Sequence, residues 1–191
     1  MPEPRPEVME FLLTRRSRPA KTLRPPVPGR EELRVLLEAA ARSPDHGMLV
    51  PWRFIVIEGA ALGRLAEAAA ARALALGRDA GMVEKARVVF VEAPLVVAVV
   101  ASPKPSEKIP EMEQLMSAGA VCLSLLNAAL ASGWGASWIT GWMAYDRPFL
   151  EGLGLGPREF VAGFVHIGTE GSRPPERERP DIGAITLWID T

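Results

Sequence analysis

A chain of 191 residues fits one compact domain better than two. Hydrophobic residues make up 48% and charged residues 24%, the ordinary globular mixture, which excludes general disorder and supplies a sizeable core. The formal net charge of −1 gives no overall field toward nucleic acid or an anionic membrane, so any anion must be held by local cations.

In chain order, Met1-Pro2-Glu3-Pro4-Arg5-Pro6-Glu7 lacks the apolar centre of a secretory signal, and a cytoplasmic protein is expected. Val8, Phe11 and Leu12 have the i, i+3, i+4 spacing of a helix face, predicting a helix from Glu7 to about Arg15. It ends in a charged turn, Arg15-Arg16-Ser17-Arg18-Pro19, and Pro25, Pro26 and Pro28 favour an extended connection up to Gly29. Leu33, Leu36, Leu37, Ala40 and Ala41 then repeat at helical spacing, and Pro44 stops that helix just before Asp45-His46. Trp52 to Glu58 reads as a strand, residues 61 to 77 as an Ala-rich helix, and Met82 to Arg87 as a second, short helix. The continuous apolar run Ala93 to Val100 predicts a strand buried on both faces and central to the sheet.

After the proline-marked loop 103–110, a long helix is expected from about Glu113 to Ser132, stopped by Gly133. Its most apolar stretch, Met116 to Ala131, is interrupted by Ser117, Gly119, Ser124 and Asn127, and falls short of the roughly 20 apolar residues of a membrane span, so it reads as a buried helix. It carries Cys122, the only cysteine, which excludes an intrachain disulfide and points to a reducing compartment. Gly135 to Ile139 and Phe160 to Gly168 read as strands, with a helix from about Arg147 to Leu153 between them. Thr169 to Ala184 is a polar loop, unusually long for a compact domain. Ile185, Leu187 and Ile189 then alternate with polar or aromatic neighbours as in a strand, which suggests an arm adding its strand to a partner subunit.

Two clusters could carry chemistry. Arg15, Arg16 and Ser17 put two guanidinium groups and a hydroxyl at one turn, suitable donors for a phosphate dianion. Arg42-Ser43-Pro44-Asp45-His46 lies at another helix end, shortly before Pro51-Trp52. A histidine in such a place is usually a surface or capping residue, and His166, in an alternating apolar strand, reads as structural. No G-x-S-x-G elbow and no phosphate loop of the G-x-x-x-x-G-K-[ST] kind is present.

In this order, the Arg-Arg-Ser turn, the Arg-x-Pro-Asp-His stretch and Pro-Trp resemble the nitroreductase family, nearest to its small NAD(P)H oxidoreductase branch. Glu113 to Gly119 resembles the start of that family's interface helix, Gly133 to Gly141 the stretch that passes the flavin, and Gly163 to Thr169 its late strand. The resemblance implies an α+β domain over residues 1–191 of three-layer α/β/α type, with a central mixed β-sheet flanked by helices and residues 169–191 as an arm whose strand is exchanged in a homodimer. It implies FMN as cofactor and NAD(P)H as reductant. Arg15, Arg16 and Ser17 would hold the FMN phosphate and ribityl chain, Trp138, Ile139 and Thr140 would contact the cofactor from the same subunit, and Arg42 and His46 would reach it from the other. Arg18 and Lys21 could supply a further basic residue after the serine but neither aligns cleanly with the family pattern, and Arg177 or Arg179 could serve on the phosphate although the nearest branch manages without a late cation, so these four stay outside this set. Flavin would carry the hydride itself, so no catalytic side chain and no metal is expected, and the acceptor would be a nitroaromatic, a quinone or a similar electron-poor molecule. The rival expectations are a flavin-binding sensor or storage protein without turnover and a structural dimer with a vacant cleft.

Overall fold

In the computed structural model, which describes residues 3–190, Pro6 opens helix α1 (Pro6–Thr14) at a position where its missing N–H costs nothing. Met1, Pro2 and Thr191, the outermost residues of the N-terminal stretch and of the C-terminal arm, lie outside the described residues. None of the α1 residues is buried, and Val8, Met9, Leu12 and Leu13 face outward. There follow β1 (Leu23–Arg24), α2 (Arg30–Ala40), β2 (Trp52–Ile57), α3 (Ala60–Ala75) and α4 (Ala80–Val91). The side chain of Asp79 caps α4 by accepting the Met82 amide at 2.9 Å. The chain continues through β3 (Val96–Ala101), α5 (Glu111–Ala131), β4 (Gly135–Ile139), α6 (Arg147–Gly152), β5 (Phe160–Glu170) and a single turn, α7 (Ile182–Ile185).

The sheet runs β2-β3-β5, with β4 on the far edge of β5. The two residues of β1 prolong the β3 side, where the amides of Ile167, Thr169 and Gly171 donate in turn to the carbonyls of Leu95, Pro26 and Thr22. β3 is central, as expected, and every one of its residues is fully buried. Val96, Ala98 and Val100 pack with Phe90, Leu65 and Phe164 under α3, α4 and α6, whereas Val97 and Val99 pack with Leu36, Val121 and Leu125 under α2 and α5. The strand therefore separates two apolar layers, which gives the three-layer arrangement. α5 is long and apolar enough to cross a membrane, but eight of its residues are buried in the layer it forms with the sheet and α2, so it is a core helix.

Three expectations are corrected. The sheet within one chain is not mixed: each pairing is antiparallel. α4 runs on to Val91 because Val88, Val89 and Phe90, strand-like in composition, lean on the sheet from a helix. Within the chain, residues 185–189 form no strand: Ile185 closes α7, and Leu187, Trp188 and Ile189 are each more than 80% exposed. A lone strand cannot satisfy its backbone without a neighbour, and among the described residues this segment has none.

Candidate functional site

The turn after α1 is tied to β4, since the Arg18 amide donates to the Ala136 carbonyl at 2.8 Å. This brings Arg15, Arg16 and Ser17 to the strand whose end carries Trp138, Ile139 and Thr140. Arg15 donates to the Ser17 hydroxyl at 3.0 Å. The Nε atoms of both Arg15 and Arg16 are buried without a hydrogen-bond partner, and among the described residues neither arginine forms an ion pair. Burial, then the guanidinium groups of Arg179, Arg16 and Arg18, hold Arg15 below the usual arginine range. A half-buried cluster of positive charge with unmet donors is suited to a dianion.

Arg179 is the member that sequence reasoning set aside. It comes from the arm, bonds Glu176 at 2.7 Å, and acts on Arg15 across the chain. Arg18 is occupied by Glu170 and by the Arg16 carbonyl, and Lys21 lines a cavity beside His166.

Trp138 is partly exposed, and its indole N–H donates to the Ala162 carbonyl at 3.2 Å. Ala162 is the extra residue of a bulge where β5 slips against β3 between Val99 and Val100. Gly163 next to it makes room for the ring, because a Cβ there would collide with Nε1 and Cδ1 of Trp138 and come within 3.0 Å of Cys122 Sγ. Gly163→Ala is expected to dislodge this indole. Near-ultraviolet circular dichroism should change and flavin affinity should fall several-fold, while far-ultraviolet spectra stay those of the parent. Cys122 beneath the sheet is buried, and burial pushes its thiol up to about 12, so it offers no thiolate.

Arg42 and His46 stand apart from this group: among the described residues no hydrogen bond or ion pair links them to Arg15, Arg16 or Ser17. Ser43 bonds the Ala40 carbonyl and the Ser124 hydroxyl, Ser117 donates to the Pro44 carbonyl, and His46 Nδ1 lies 2.8 Å from Glu113 Oε2, so α5 fixes the segment in place. Both Arg42 and His46 remain exposed. Behind them Gly47, Met48 and Val50 all have left-handed backbones, with φ of 74°, 51° and 47°. For a β-branched residue this conformation is strained, and it persists here with the Val50 amide held by Asp45 Oδ2 at 2.7 Å. Nothing in the local sequence marks this strained loop.

Among known proteins, the model of the nitroreductase family matches residues 12–169. This chain belongs to that family. The Escherichia coli K12 protein named "Putative NAD(P)H nitroreductase YdjA" is 36% identical over 163 residues, covering 85% of this chain and 88% of its own. A Haemophilus influenzae protein of similar name is 36% identical over 173 residues, covering 90% and 92%. Of solved structures, the nitroreductase-like protein from Bacillus cereus superposes with a TM-score of 0.80 at 22% identity, covering 96% of each chain. The nitroreductase with bound FMN from Bacteroides fragilis gives 0.73 at 23% identity, covering 95% of this chain and 98% of that one. The family places the three-layer fold read from the sequence on firm ground.

Proposed function

We propose that this protein is an FMN-dependent oxidoreductase that takes electrons from NAD(P)H and passes them to electron-poor small molecules such as nitroaromatics or quinones, as a homodimer in the cytoplasm. The observation that carries the reading is the pair of buried, partnerless Nε donors of Arg15 and Arg16 beside the end of β4. Those donors, the Ser17 hydroxyl and Arg179 suit the phosphate of FMN, and Trp138, Ile139 and Thr140 at the end of β4 would contact the rest of the cofactor from the same subunit. Flavin supplies hydride acceptance and release. The chain's own residues bind and orient it, and local cations stabilise negative charge on it.

The uncovered surface supports the assembly. Among the described residues β2 pairs only with β3, so its outer edge is open, and cavities of about 520 and 370 Å³ flank that edge on its two faces, Val56 lining both. A strand of residues 185–189 from a partner, laid along this edge, sends Ile185, Leu187 and Ile189 to one face and Thr186 and Trp188 to the other. Met112, Met116 and Leu123 of α5 and the outward face of α1 supply further apolar surface for the partner to cover. Arg42 and His46, separate from Arg15 within the chain, then complete the site from the second subunit.

The purified protein is expected to carry a flavin spectrum that bleaches on anaerobic addition of NADH or NADPH. Steady-state kinetics with a quinone or nitroaromatic should give the parallel lines of alternating half-reactions. Flavin that stays oxidised under excess of both nucleotides would make the protein a flavin carrier instead.

A further inference from the structure

Residues 45–50 are fixed in a conformation that their own side chains oppose. Gly47, Met48 and Val50 all have left-handed backbones, which only glycine adopts freely and a β-branched residue tolerates least. Three supports keep the loop from relaxing. Asp45 Oδ2 accepts the Val50 amide, Glu113 Oε2 holds His46 Nδ1, and Ile109 lies so close to Gly47 that a Cβ there would come within 2.5 Å of its Cδ1. Ile109 is buried in its turn: its amide donates to Ser106 Oγ at 3.0 Å, and its carbonyl accepts from Gln114 Nε2 at 3.3 Å. Strain that the surroundings enforce from three sides is a sign that the position of the loop matters. What the loop presents is the Met48 side chain, 87% exposed and two residues beyond His46.

We propose that Met48 is a specificity-determining residue: it forms a wall of the pocket where a flat aromatic acceptor meets the flavin, in the site whose phosphate cluster belongs to the other subunit. This rests on the shared flavin site proposed above, in which His46 crosses the interface. A thioether has nothing to offer a phosphate or a ribityl hydroxyl, whereas its polarisable sulfur packs well against aromatic rings. Arg42, His46, Trp138, Ile139 and Thr140 are given to the flavin, which leaves the acceptor without a side chain to recognise it. Met48, next to His46 and free in its own chain, supplies one. Its unbranched stem adapts to rings of different outline, while its bulk favours acceptors large enough to touch it. The residue binds and orients, and takes no part in electron transfer.

The test uses protein labelled with carbon-13 at the methionine methyls, loaded with FMN and kept oxidised so that nothing turns over. Menadione, a two-ring quinone, should shift the Met48 methyl signal, which is identified by its loss in Met48→Leu. In mixed dimers of Arg15→Ala and His46→Ala chains, the intact site takes its loop from the Arg15→Ala chain. Met48 should therefore respond when that chain carries the label and stay silent when the other does. In kinetics, Met48→Gly should raise KM for menadione roughly tenfold and KM for the smaller 1,4-benzoquinone far less, while Met48→Leu stays near the parent. Glycine suits a left-handed backbone, so the first variant removes the side chain without straining the loop, and urea unfolding establishes that both variants fold. A Met48 signal indifferent to menadione, a response from the His46→Ala chain alone, or equal rises in the two KM values would overturn the assignment. Protein that binds no FMN would remove the flavin reading and this role together, whereas FMN binding with a silent Met48 would remove this role alone.

Discussion

An Arg15→Ala chain is expected to bind FMN ten- to hundredfold more weakly than the parent, with riboflavin affinity almost unchanged. A hydrogen bond from a charged donor is worth roughly 1.5–3 kcal/mol, and each 1.4 kcal/mol is a factor of ten in affinity. Arg15 has a buried Nε without a partner and lies among three other guanidinium groups, so a dianion relieves both the unmet donor and the mutual repulsion. Arg179→Ala should act in the same direction and less strongly, because Arg179 already has Glu176 as a partner at an exposed position. His46→Ala should also weaken binding, though His46 has no link to Arg15 within its chain. Mixing Arg15→Ala and His46→Ala chains is the decisive measurement. If the site is shared, each mixed dimer has one site with both lesions and one with neither, and one intact flavin site returns per mixed dimer. Mixed dimers without recovery, or Arg15→Ala with parental FMN affinity, would refute a shared phosphate site. Deleting the chain from Gly183 onward should loosen the dimer and lower FMN affinity together.

The parts of the fold that were legible in the sequence are those with a period. Leu33, Leu36 and Ala40 do face the core, and the unbroken apolar run of β3 does lie between two layers. β1 was not legible, because two residues have no period and are held by Thr169 and Glu170, far away in the chain. Residues 185–189 do alternate, but a strand is a property of a pair, and the described residues provide no partner for them. In the candidate site, Arg15 and Trp138 come from a family pattern, and the backbone bond from Arg18 to Ala136 ties the turn of the one to the strand of the other. Arg179 is one of two late arginines that could serve on the phosphate, and only the folding of the arm, which carries it to Arg15, tells it from Arg177. The strain at Met48 and Val50 and the cavity at His166 arise from tertiary packing, and neither has a local signature.

The stability of the parent is expected to fall by about 3 kcal/mol between pH 6.5 and pH 4, and most of that loss should vanish in His166→Phe. Burial holds His166 at about 4, against its ordinary 6.5. In that window the unfolded chain binds a proton that the folded chain refuses, so stability rises with pH across it. The contribution of neutral His166 is therefore complete above pH 6.5, declines as the pH falls toward 4, and changes no further once both states are protonated. The span, at 1.36 kcal/mol per pH unit for one proton, gives the magnitude. Carboxylates act lower down. Glu159, whose hydrogen bond from Arg53 brings it to about 2, contributes stability above its ordinary 4.5 that is lost as the pH falls from there toward 2. Asp146, lowered first by its bond from Arg72, behaves in the same sense. Both are present in parent and variant, so the difference between the two curves isolates the imidazole. Urea unfolding at pH 7, 6, 5 and 4.5, at one fixed protein concentration because a dimer's stability depends on it, measures that difference. Parallel curves for parent and His166→Phe would mean that water reaches the ring and that the walls of its cavity do not close around it.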